Sequence, residues 1–458
     1  SSSPIIWTAD ARRDRKRRCY KMATLRFPLS RIEGHARVEM EVQDGQVVTA
    51  QFQAIEMRGF RYFMQGTPAE QMPVIVPRIC GVCSTAHHVA SVKALEDIFG
   101  VEPPELAKEI RELLLLGQLI QNQATSLFIF TMPDRVGASS LFHMDESEAD
   151  PHQQLSLAQR SLKVRQVGTN LITLAGGQFI HPVKAIVGGV TSGIKREPAE
   201  ALLRDVQALL PMACELFDEY WEMSMAMGER IGTWGDDQPA YYIASTGRTR
   251  PQLNSDVVRV LGPDGAERAS FPPNLFRNYL DYEETAYSYA GQTSYQGQVM
   301  RANSLARMNL ALSMGTPLAD AYLEKFTHTF GKPAHPILLF DLCRGIELVY
   351  AFERSIEILA KDLEYEDTSL PYTVKDGEGY GLVEAPRGPL IHHYTVKDGL
   401  IEDAEFIIPT VHNMLAIERA LKVAGERYVS PEAINLELEK AVGRVVRAFD
   451  PCIACATQ

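Results

Sequence analysis

Apolar residues recur at three- and four-residue spacing along most of this chain, which is the pattern of a helix that buries one face. The clearest stretches are residues 104–130, 153–175, 198–231, 301–330 and 337–363. Shorter helices are predicted between Cys83 and Phe99 and over residues 431–449. The pattern therefore predicts long, mostly buried helices.

Residues 36–54 instead alternate between polar and apolar types around the Asp44-Gly45 dipeptide, which predicts a β-hairpin. Two more hairpins are predicted with turns at residues 263–265 and 397–399, the second joining strands at 391–396 and 400–408. No long linker rich in Pro, Gly or Ser interrupts residues 22–458. We therefore expect a mainly α fold: one large helical domain over residues 22–458, with long central helices and small peripheral β-hairpins.

The 458-residue chain carries a formal net charge of −12 and no apolar run of membrane-spanning length. No membrane span is therefore expected. Nucleic acid is also disfavoured as a partner, because phosphate binding needs a basic face. The charge is unevenly distributed, since the first 21 residues hold seven Lys or Arg and only two Asp. We expect residues 1–21 to form a basic N-terminal extension, disordered or docked on a partner, with Met22 as an alternative start.

Seven cysteines are present, an odd number in a chain too large to need disulfides, which indicates a reducing compartment. Four of them form two C-x-x-C pairs, Cys80 with Cys83 and Cys452 with Cys455, separated by nearly the whole chain. Four thiolates are the ligands of structural zinc, of an iron–sulfur cluster, or of a redox-active metal that prefers sulfur. Spacing alone leaves these three sites open, although zinc pairs usually lie closer together in sequence.

Together with other motifs, the two pairs resemble the large subunit of nickel–iron hydrogenases, over residues 25–458. The motifs are Arg78-x-Cys80-Gly81-x-Cys83-x-x-x-His87, Asp450-Pro451-Cys452-x-x-Cys455, Arg31-Ile32-Glu33-Gly34-His35, Met57-Arg58-Gly59-Phe60, His181-Pro182, Gly188-Gly189 and Glu384-Ala385-Pro386-Arg387-Gly388. Residues 390–394 are most similar to the cytoplasmic, NAD(P)-linked branch of the family. The resemblance implies one catalytic domain whose metal site is built from both ends of the chain.

The resemblance further implies reversible heterolytic cleavage of dihydrogen at a nickel–iron centre. All four cysteines would bind nickel, with Cys83 and Cys455 bridging to an iron that carries carbonyl and cyanide, and Cys80 and Cys452 terminal. Iron–sulfur clusters would lie on a small partner subunit, and flavin and NAD on diaphorase partner subunits. Two alternatives remain: a hydrogen-sensing regulatory subunit, or a non-catalytic four-thiolate subunit of a redox complex.

By the same resemblance, the Cys452 sulfur would accept the proton first and Glu33 would relay it onward. Burial should raise the pKa of such a carboxyl, which suits a reversible relay. The alternative is that Glu33 is an ordinary carboxylate in a salt bridge with Arg31 or Arg37.

The resemblance also assigns Arg387 to a position over the metals, with Asp450 holding its guanidinium and Pro386 shaping the cyanide pocket. His87 would donate a hydrogen bond to the sulfur of Cys455. The remaining histidines named by the motifs and their neighbours are expected to make structural hydrogen bonds: His88, His181, His392 and His393.

Two positions depart from the family pattern near a magnesium site that many relatives have at the chain end. Relatives carry a Glu after Arg-Gly-Phe and a His three residues after the last Cys, whereas this chain has Arg61 and Gln458. A fixed guanidinium repels a dication. We therefore expect Arg61, together with Glu56, to replace the magnesium with a salt-bridged network. The end at Gln458 is expected to match a chain processed after cofactor assembly, although a native or truncated end would have the same sequence.

Overall fold

The computed structural model describes residues 22–142, 150–365, 367–429 and 436–457. The predicted N-terminal extension, residues 1–21, and Gln458 lie outside these ranges. Helices form about half of the chain. Their bounds are α1 Phe60–Met64, α2 Met72–Ile75, α3 Ser84–Phe99, α4 Glu105–Ala124, α5 Met132–Val136, α6 Pro151–Gly176, α7 Arg196–Met225, α8 Arg230–Thr233, α9 Ser304–Leu310, α10 Pro317–Phe330, α11 Leu339–Leu359, α12 Pro409–Tyr428, α13 Leu436–Phe449 and α14 Ile453–Ala456.

The strands are short and are grouped in small sheets. Their bounds are β1 Met22–Pro28, β2 Ala36–Gln43, β3 Gln46–Ala54, β4 Ala185–Ile186, β5 Gly189–Val190, β6 Tyr241–Ala244, β7 Val258–Leu261, β8 Glu267–Phe271, β9 Asp281–Glu283, β10 Gln292–Ser294, β11 Met300–Arg301, β12 Gly377–Ala385, β13 Gly388–Lys397 and β14 Leu400–Ile407. The described sheets have the orders β1-β2-β3, β4-β5, β11-β6-β7-β8, β9-β10 and β12-β13-β14. The three predicted hairpins are confirmed as β2–β3, β7–β8 and β13–β14.

Most predicted helices are confirmed, but one is divided. The helix predicted over residues 301–330 forms two helices, α9 and α10. Gly315 adopts a left-handed φ of +71°, and Pro317 begins the second helix at a position where its missing N–H costs nothing. The prediction for residues 198–231 was also too long, because α7 ends at Met225. Residues 431–435 of the helix predicted over 431–449 lie outside the described ranges.

The description of the sheets as peripheral is wrong for β12–β14. One face of this sheet joins an apolar cluster through Leu382 and Ile391. The other face of the sheet carries the paired residues Gly381 and His392 and packs against α3. A Cβ on Gly381 would come within 1.9 Å of the Ala90 carbonyl oxygen of α3, so only glycine permits this close approach. Because both faces are covered, β12–β14 belongs to the core. The expectation of a mainly α fold is confirmed only in part, since half of the chain is helical and several small sheets complete the fold.

One long apolar helix could cross a membrane by length and composition alone. Among the described residues it is the continuous helical stretch Glu105–Val136, and 83% of its most apolar window is buried inside the protein. A central helix of a folded core has these properties, since its apolar side chains are already covered by protein.

The two ends of the described chain meet. α12 packs against β3 and against α13, which places the first sheet beside the last helices. Backbone pairing then joins the ends directly: Glu33 and Cys452 form an isolated parallel bridge, and the Glu33 carbonyl oxygen accepts from the Ile453 N–H over 3.1 Å. A left-handed Gly34 permits this contact, because its φ is +80° and a Cβ there would lie 2.8 Å from the Ile453 side chain. Backbone pairing thus joins Glu33, near the start of the described chain, to the segment that carries Cys452 and Cys455.

Candidate metal centre

Two turns, one near each end of the chain, hold the four paired cysteines. Cys80 and Cys83 lie in the turn before α3, and Cys452 and Cys455 lie at the start of α14 and within it. All four side chains are buried, and their sulfurs lie within 4.8 Å of one another. The Cys452 sulfur is 3.3 Å from that of Cys80, 3.7 Å from that of Cys83 and 2.9 Å from that of Cys455. The fold therefore forms one four-sulfur cluster from pairs separated by 372 residues.

The four buried thiols affect one another's pKa. Burial raises the pKa of Cys452 and Cys455 well above the ordinary value of a thiol. Hydrogen bonds from these two sulfurs lower the pKa of Cys80 and lower that of Cys83 well below normal, with Arg387 also favouring the Cys83 thiolate. The thiolate is the form that binds a soft metal ion, and the Arg387 cation beside Cys83 favours that form.

Arg387 lies beside Cys83 in the turn between β12 and β13. Its Nη1 donates to the Cys83 sulfur over 3.2 Å, Nη2 donates to Asp450 Oδ1 over 3.0 Å, and Nε donates to the Asp450 carbonyl oxygen over 2.5 Å. Although burial disfavours the charged form, Asp450 and the cysteine sulfurs raise the pKa of Arg387 well above its usual value. The preceding residue, Pro386, is buried in the same turn. A fixed cation is therefore held against the cluster.

Glu33 contacts the cluster through Cys452. Its Oε2 accepts from the Cys452 thiol over 3.0 Å and from the Ala454 backbone N–H over 3.1 Å. Burial, followed by the charge of Cys80, raises the pKa of Glu33. The side chain remains partly exposed, unlike that of Arg387.

The two arginines offered as salt-bridge partners for Glu33 have other partners. Arg31 Nη2 donates to Asp134 Oδ1 over 2.6 Å, and Asp134 also binds Arg447 over 2.8 Å. Arg37 Nε donates to Gln53 Oε1 over 2.7 Å. The alternative interpretation of Glu33 as the partner of either arginine is therefore not what the structure shows.

His87 lies at the Cys455 side of the cluster. Its Nε2 is 3.4 Å from the Cys455 sulfur, and its Nδ1 is 2.9 Å from Nε2 of His392. Burial lowers the pKa of His87 to about 4, so the ring is neutral at physiological pH. Three other histidines named above contact backbone or carboxylate groups. The ring of His88 lies against the Pro73 carbonyl oxygen, that of His181 against the Pro77 carbonyl oxygen, and that of His393 against the Glu405 carboxylate.

Two residues that the motifs did not identify also contact residues of the site. Asn122 on α4 donates to Asp450 Oδ2 over 3.1 Å, and Thr410 at the start of α12 accepts from the Cys452 N–H over 3.0 Å. One signal for Asn122 was present, because amide side chains at 118 and 121–123 interrupt the apolar second half of α4 and are all buried. Buried amides need partners, so such a group marks a polar site inside a core.

Arg61 and Glu56 do not form the joint network that we expected. Arg61 pairs with Asp403 over 3.1 Å, and Glu56 pairs with His35 over 2.9 Å. Both pairs are largely exposed to solvent, and Gln458 lies outside the described residues. Arg61 thus has a salt-bridge partner, but Arg61 and Glu56 pair with different groups rather than with each other.

Known protein families match the segments of the chain that carry the four-sulfur cluster. The sequence profile described as "Nickel-dependent hydrogenase" matches residues 58–161 and 244–458, and one described as "HoxL-like" matches residues 27–57. The chain belongs to the nickel-dependent hydrogenase family. The resemblance and the enzyme class inferred from the sequence are thereby confirmed.

Relatives in this family align along most of the chain. One subunit of the vhu F420-non-reducing hydrogenase of Methanocaldococcus jannaschii is 34% identical over 416 residues, which are 87% of this chain and 97% of the relative. The beta subunit of the NAD-reducing hydrogenase HoxS of Cupriavidus necator is 29% identical, over 94% of this chain and 93% of the relative. The crystal structure of an NAD+-reducing [NiFe]-hydrogenase in the H2-reduced state superposes with a TM-score of 0.87 at 28% identity, covering 98% of this chain and 100% of that one.

The residues of this hydrogenase family member fit a nickel–iron group. Four sulfur donors are the soft ligand set that nickel and iron accept, and all four converge within bonding range of a common ion. A buried guanidinium beside them suits a centre that carries anionic ligands. Cys80, Cys83, Cys452 and Cys455 are therefore the residues that would hold the group.

Proposed function

We propose that this chain is the catalytic subunit of a hydrogenase that cleaves dihydrogen reversibly into two protons and two electrons. The observation that carries the proposal is the buried four-sulfur cluster, with Glu33 in hydrogen-bond contact with one sulfur and Arg387 with another. A non-catalytic four-thiolate site would need neither an adjacent carboxyl of raised pKa nor a buried cation.

A nickel–iron centre with carbonyl and cyanide on iron would supply the redox-active site at which dihydrogen is cleaved heterolytically. The residues of the chain then handle the proton. The Cys452 sulfur accepts it, and Glu33 Oε2, 3.0 Å away, receives it next. The Ala454 N–H binds the same oxygen and keeps it in reach. A carboxyl whose pKa is raised by burial holds and releases a proton closer to neutral pH than an exposed one does.

The remaining site residues orient and neutralise the group. In this proposal Cys80, Cys83, Cys452 and Cys455 would hold the nickel–iron group. Arg387, held by Asp450, balances the charge of the thiolates and of the cyanides, with Pro386 shaping their pocket. His87 Nε2 lies within reach of the Cys455 sulfur and tunes it by a hydrogen bond.

Electrons leave through other subunits in this proposal. Among the described residues, only Cys214 and Cys343 lie outside the cluster, and two cysteines do not hold an iron–sulfur chain. An iron–sulfur small subunit is therefore the expected electron acceptor, followed by flavin-containing diaphorase subunits that reduce NAD(P) in the cytoplasm. The likeness to NAD-reducing relatives supports this acceptor. We further propose that no magnesium binds beside Arg61.

Infrared spectroscopy and metal analysis of the purified complex test the proposal. We expect nickel and iron together, with carbonyl and cyanide stretching bands, and hydrogen-dependent reduction of NAD. A protein that contains zinc and shows no bands would overturn the catalytic role. Bands without turnover would favour the sensing subunit, and turnover with a dye but not with NAD or NADP would assign the acceptor to the F420-non-reducing type of relative.

A further inference from the structure

A short buried helix contacts two turns at the cluster. One turn carries Arg387, and the other carries Asp450 and leads to Cys452. This helix is α9, Ser304–Leu310, and all of its residues are buried. Its N-cap residue, Asn303, donates from Nδ2 to the Phe449 carbonyl oxygen over 2.9 Å, immediately before the turn that leads to Cys452. One helical turn later, Arg307 donates from Nη2 to the Pro386 carbonyl oxygen over 2.7 Å and from Nη1 to that of Ala385 over 3.2 Å.

The orientation of the Asn303 amide is fixed by its other contact. Its Oδ1 accepts from the Ser304 backbone N–H over 2.6 Å and from the Ser304 hydroxyl over 3.1 Å. The NH₂ group must therefore face the Phe449 carbonyl. The φ of Asn303 is +81°, a strained value for a residue other than glycine, so the surroundings hold this side chain in place.

Arg307 is also fully committed to buried partners. Nε donates to Glu347 Oε1 over 2.5 Å, and Nη1 donates to Glu384 Oε1 over 2.7 Å. Glu384 in turn accepts from the Ser245 N–H and hydroxyl over 2.7 and 2.6 Å. Because Glu384 begins the Glu384–Arg387 segment, the guanidinium of Arg307 binds that segment at three successive residues.

The two held turns are the ones that meet at Arg387 and Asp450. Asp450 follows Phe449 directly and has a left-handed φ of +49°, while Arg387 follows Pro386 directly. Residues four apart on one helix lie on one face, so Asn303 and Arg307 can bind two neighbouring turns at a separation that the helix itself fixes. Gly388 packs against the same place, since a Cβ there would lie 2.8 Å from that of Ala302.

We propose that Asn303 and Arg307 are positioning residues for the metal centre, which hold the Arg387 turn and the Cys452 turn at a fixed separation. They touch no sulfur and act through backbone carbonyl groups. Loss of either contact lets one turn shift relative to the other, which moves the Arg387 guanidinium relative to the sulfurs and changes the shape of the ligand set. This inference rests on the proposed nickel–iron function, and its test includes a measurement that does not need that function.

The test uses two near-isosteric variants, each with a matched control. Asn303→Asp keeps the N-cap acceptor and the shape but removes the donor to Phe449, and Asn309→Asp on the same helix removes a donor of the same kind to the Ala334 carbonyl, away from the cluster. Arg307→Lys loses the forked contact with the turn. Its control is Arg301→Lys, a buried arginine that likewise binds a carboxylate, Asp236, and the carbonyl oxygens of His335 and Gln238.

Two readouts are measured on the full chain in its complex. In the assembled enzyme, the carbonyl and cyanide bands of Asn303→Asp and Arg307→Lys should shift, whereas those of the two controls should match the wild type. In metal-free protein, the affinity for Ni²⁺ added alone should fall about 10- to 100-fold in the first two variants and stay within error in the controls. Thermal unfolding of all four variants shows whether stability losses are comparable within each pair.

Unshifted bands together with unchanged Ni²⁺ affinity in Asn303→Asp and Arg307→Lys would overturn the inference, as would equal effects in the controls. A variant that fails to assemble is decided by the Ni²⁺ measurement alone. Wild-type protein without bands would instead count against the proposed function, and the Ni²⁺ comparison would still decide whether α9 shapes the four-sulfur site.

Discussion

Arg387 and Glu33 both contact the same four-sulfur cluster, yet the protein holds them very differently. Arg387 is 3% exposed and lies in a turn between two core strands, with its guanidinium bound to both the backbone and the side chain of Asp450. Glu33 lies in a connection between two strands, is partly exposed, and uses a single carboxylate oxygen for its contacts with Cys452 and Ala454.

The difference follows from what each group has to do in the proposed reaction. A fixed charge is useful only if it stays in one place, and a buried cation must be fully paired to be tolerated at all. A proton carrier must contact the proton donor inside the protein and pass the proton towards solvent. A carboxyl that is bound through one oxygen near the surface can do both. We call the part of the site at Arg387 the rigid side and the part at Glu33 the open side. These two sides are built from different parts of the fold.

Removing one of the four sulfurs should abolish metal binding, and with it any difference between the roles of Arg387 and Glu33. Cys452→Ser replaces a ligand whose sulfur lies 2.9, 3.3 and 3.7 Å from the other three, so we expect nickel and iron to be absent from the purified protein. Elemental analysis measures this. Cys214→Ser, at a cysteine outside the cluster, should retain both metals, and metal retained by Cys452→Ser would contradict the assignment of the ligand set.

Neutralising the open side should stop proton transfer without disturbing the metals. Glu33→Gln keeps the shape but removes the titratable oxygen, so we expect the exchange between dihydrogen and deuterated water to fall about 10²- to 10⁴-fold. Metal content and infrared bands should stay as in the wild type. Glu56→Gln, a carboxylate of the same region paired with His35, is the control and should exchange normally. A normal exchange rate in Glu33→Gln would remove Glu33 from the proton path.

Changing the rigid side should have the opposite signature. Arg387→Lys keeps the charge but loses the forked contact with Asp450, so we expect shifted cyanide bands together with a loss of activity of about 10- to 100-fold. The comparison is sharpened if bands move in Arg387→Lys and stay in place in Glu33→Gln. Unshifted bands in Arg387→Lys would mean that the guanidinium does not contact the ligand set.

A buried carboxylate anchors the open side to the rest of the protein. Asp134 binds Arg31, two residues before Glu33, and Arg447 on α13. Asp134→Asn leaves both arginines without a buried counter-charge, so we expect the free energy of unfolding to fall by about 3–5 kcal/mol at neutral pH. Denaturant unfolding measures this loss.

The pH dependence of that loss has a definite sign. Although burial opposes it, Arg447 and Arg31 lower the pKa of Asp134 below its ordinary value of 3.8. The stabilisation is therefore fully present above about pH 4 and is lost as the pH falls through the lowered pKa. The difference between wild type and Asp134→Asn should be constant from neutral pH to that point and narrow below it. A difference that narrows on the alkaline side would contradict the role of the carboxylate.

The smallest effect is expected at the surface pair near the chain end. Arg61 and Asp403 are both well exposed, and exposed pairs contribute little, so Arg61→Ala should change the free energy of unfolding by less than about 1 kcal/mol. Magnesium addition should not restore or raise activity in either protein. Stoichiometric magnesium in the wild-type complex would refute the proposed loss of that site.

Local pattern was enough to predict much of the fold. Helices such as α3, α6 and α11 have the apolar spacing of a buried face, and the Asp44-Gly45 and Asp398-Gly399 turns lie where the hairpins are. These features depend on neighbours within a few residues, so the sequence determines them without knowledge of the fold. The break between α9 and α10 and the burial of β12–β14 were not predicted, because they depend on what packs against these segments.

The ligand residues were likewise identifiable, since cysteine pairs carry their chemistry in the side chain and belong to motifs specific to a family. The sequence by itself thus determined most of the long helices, three hairpins, the four sulfurs and membership of the nickel-dependent hydrogenase family. Only the tertiary structure decided which groups meet. Asn303 and Arg307 look like an ordinary helix cap and an ordinary helical cation, and Asn122 like one amide among several. Their partners are hundreds of residues away or on another element, and such contacts are set by the packing of the whole core rather than by any local pattern.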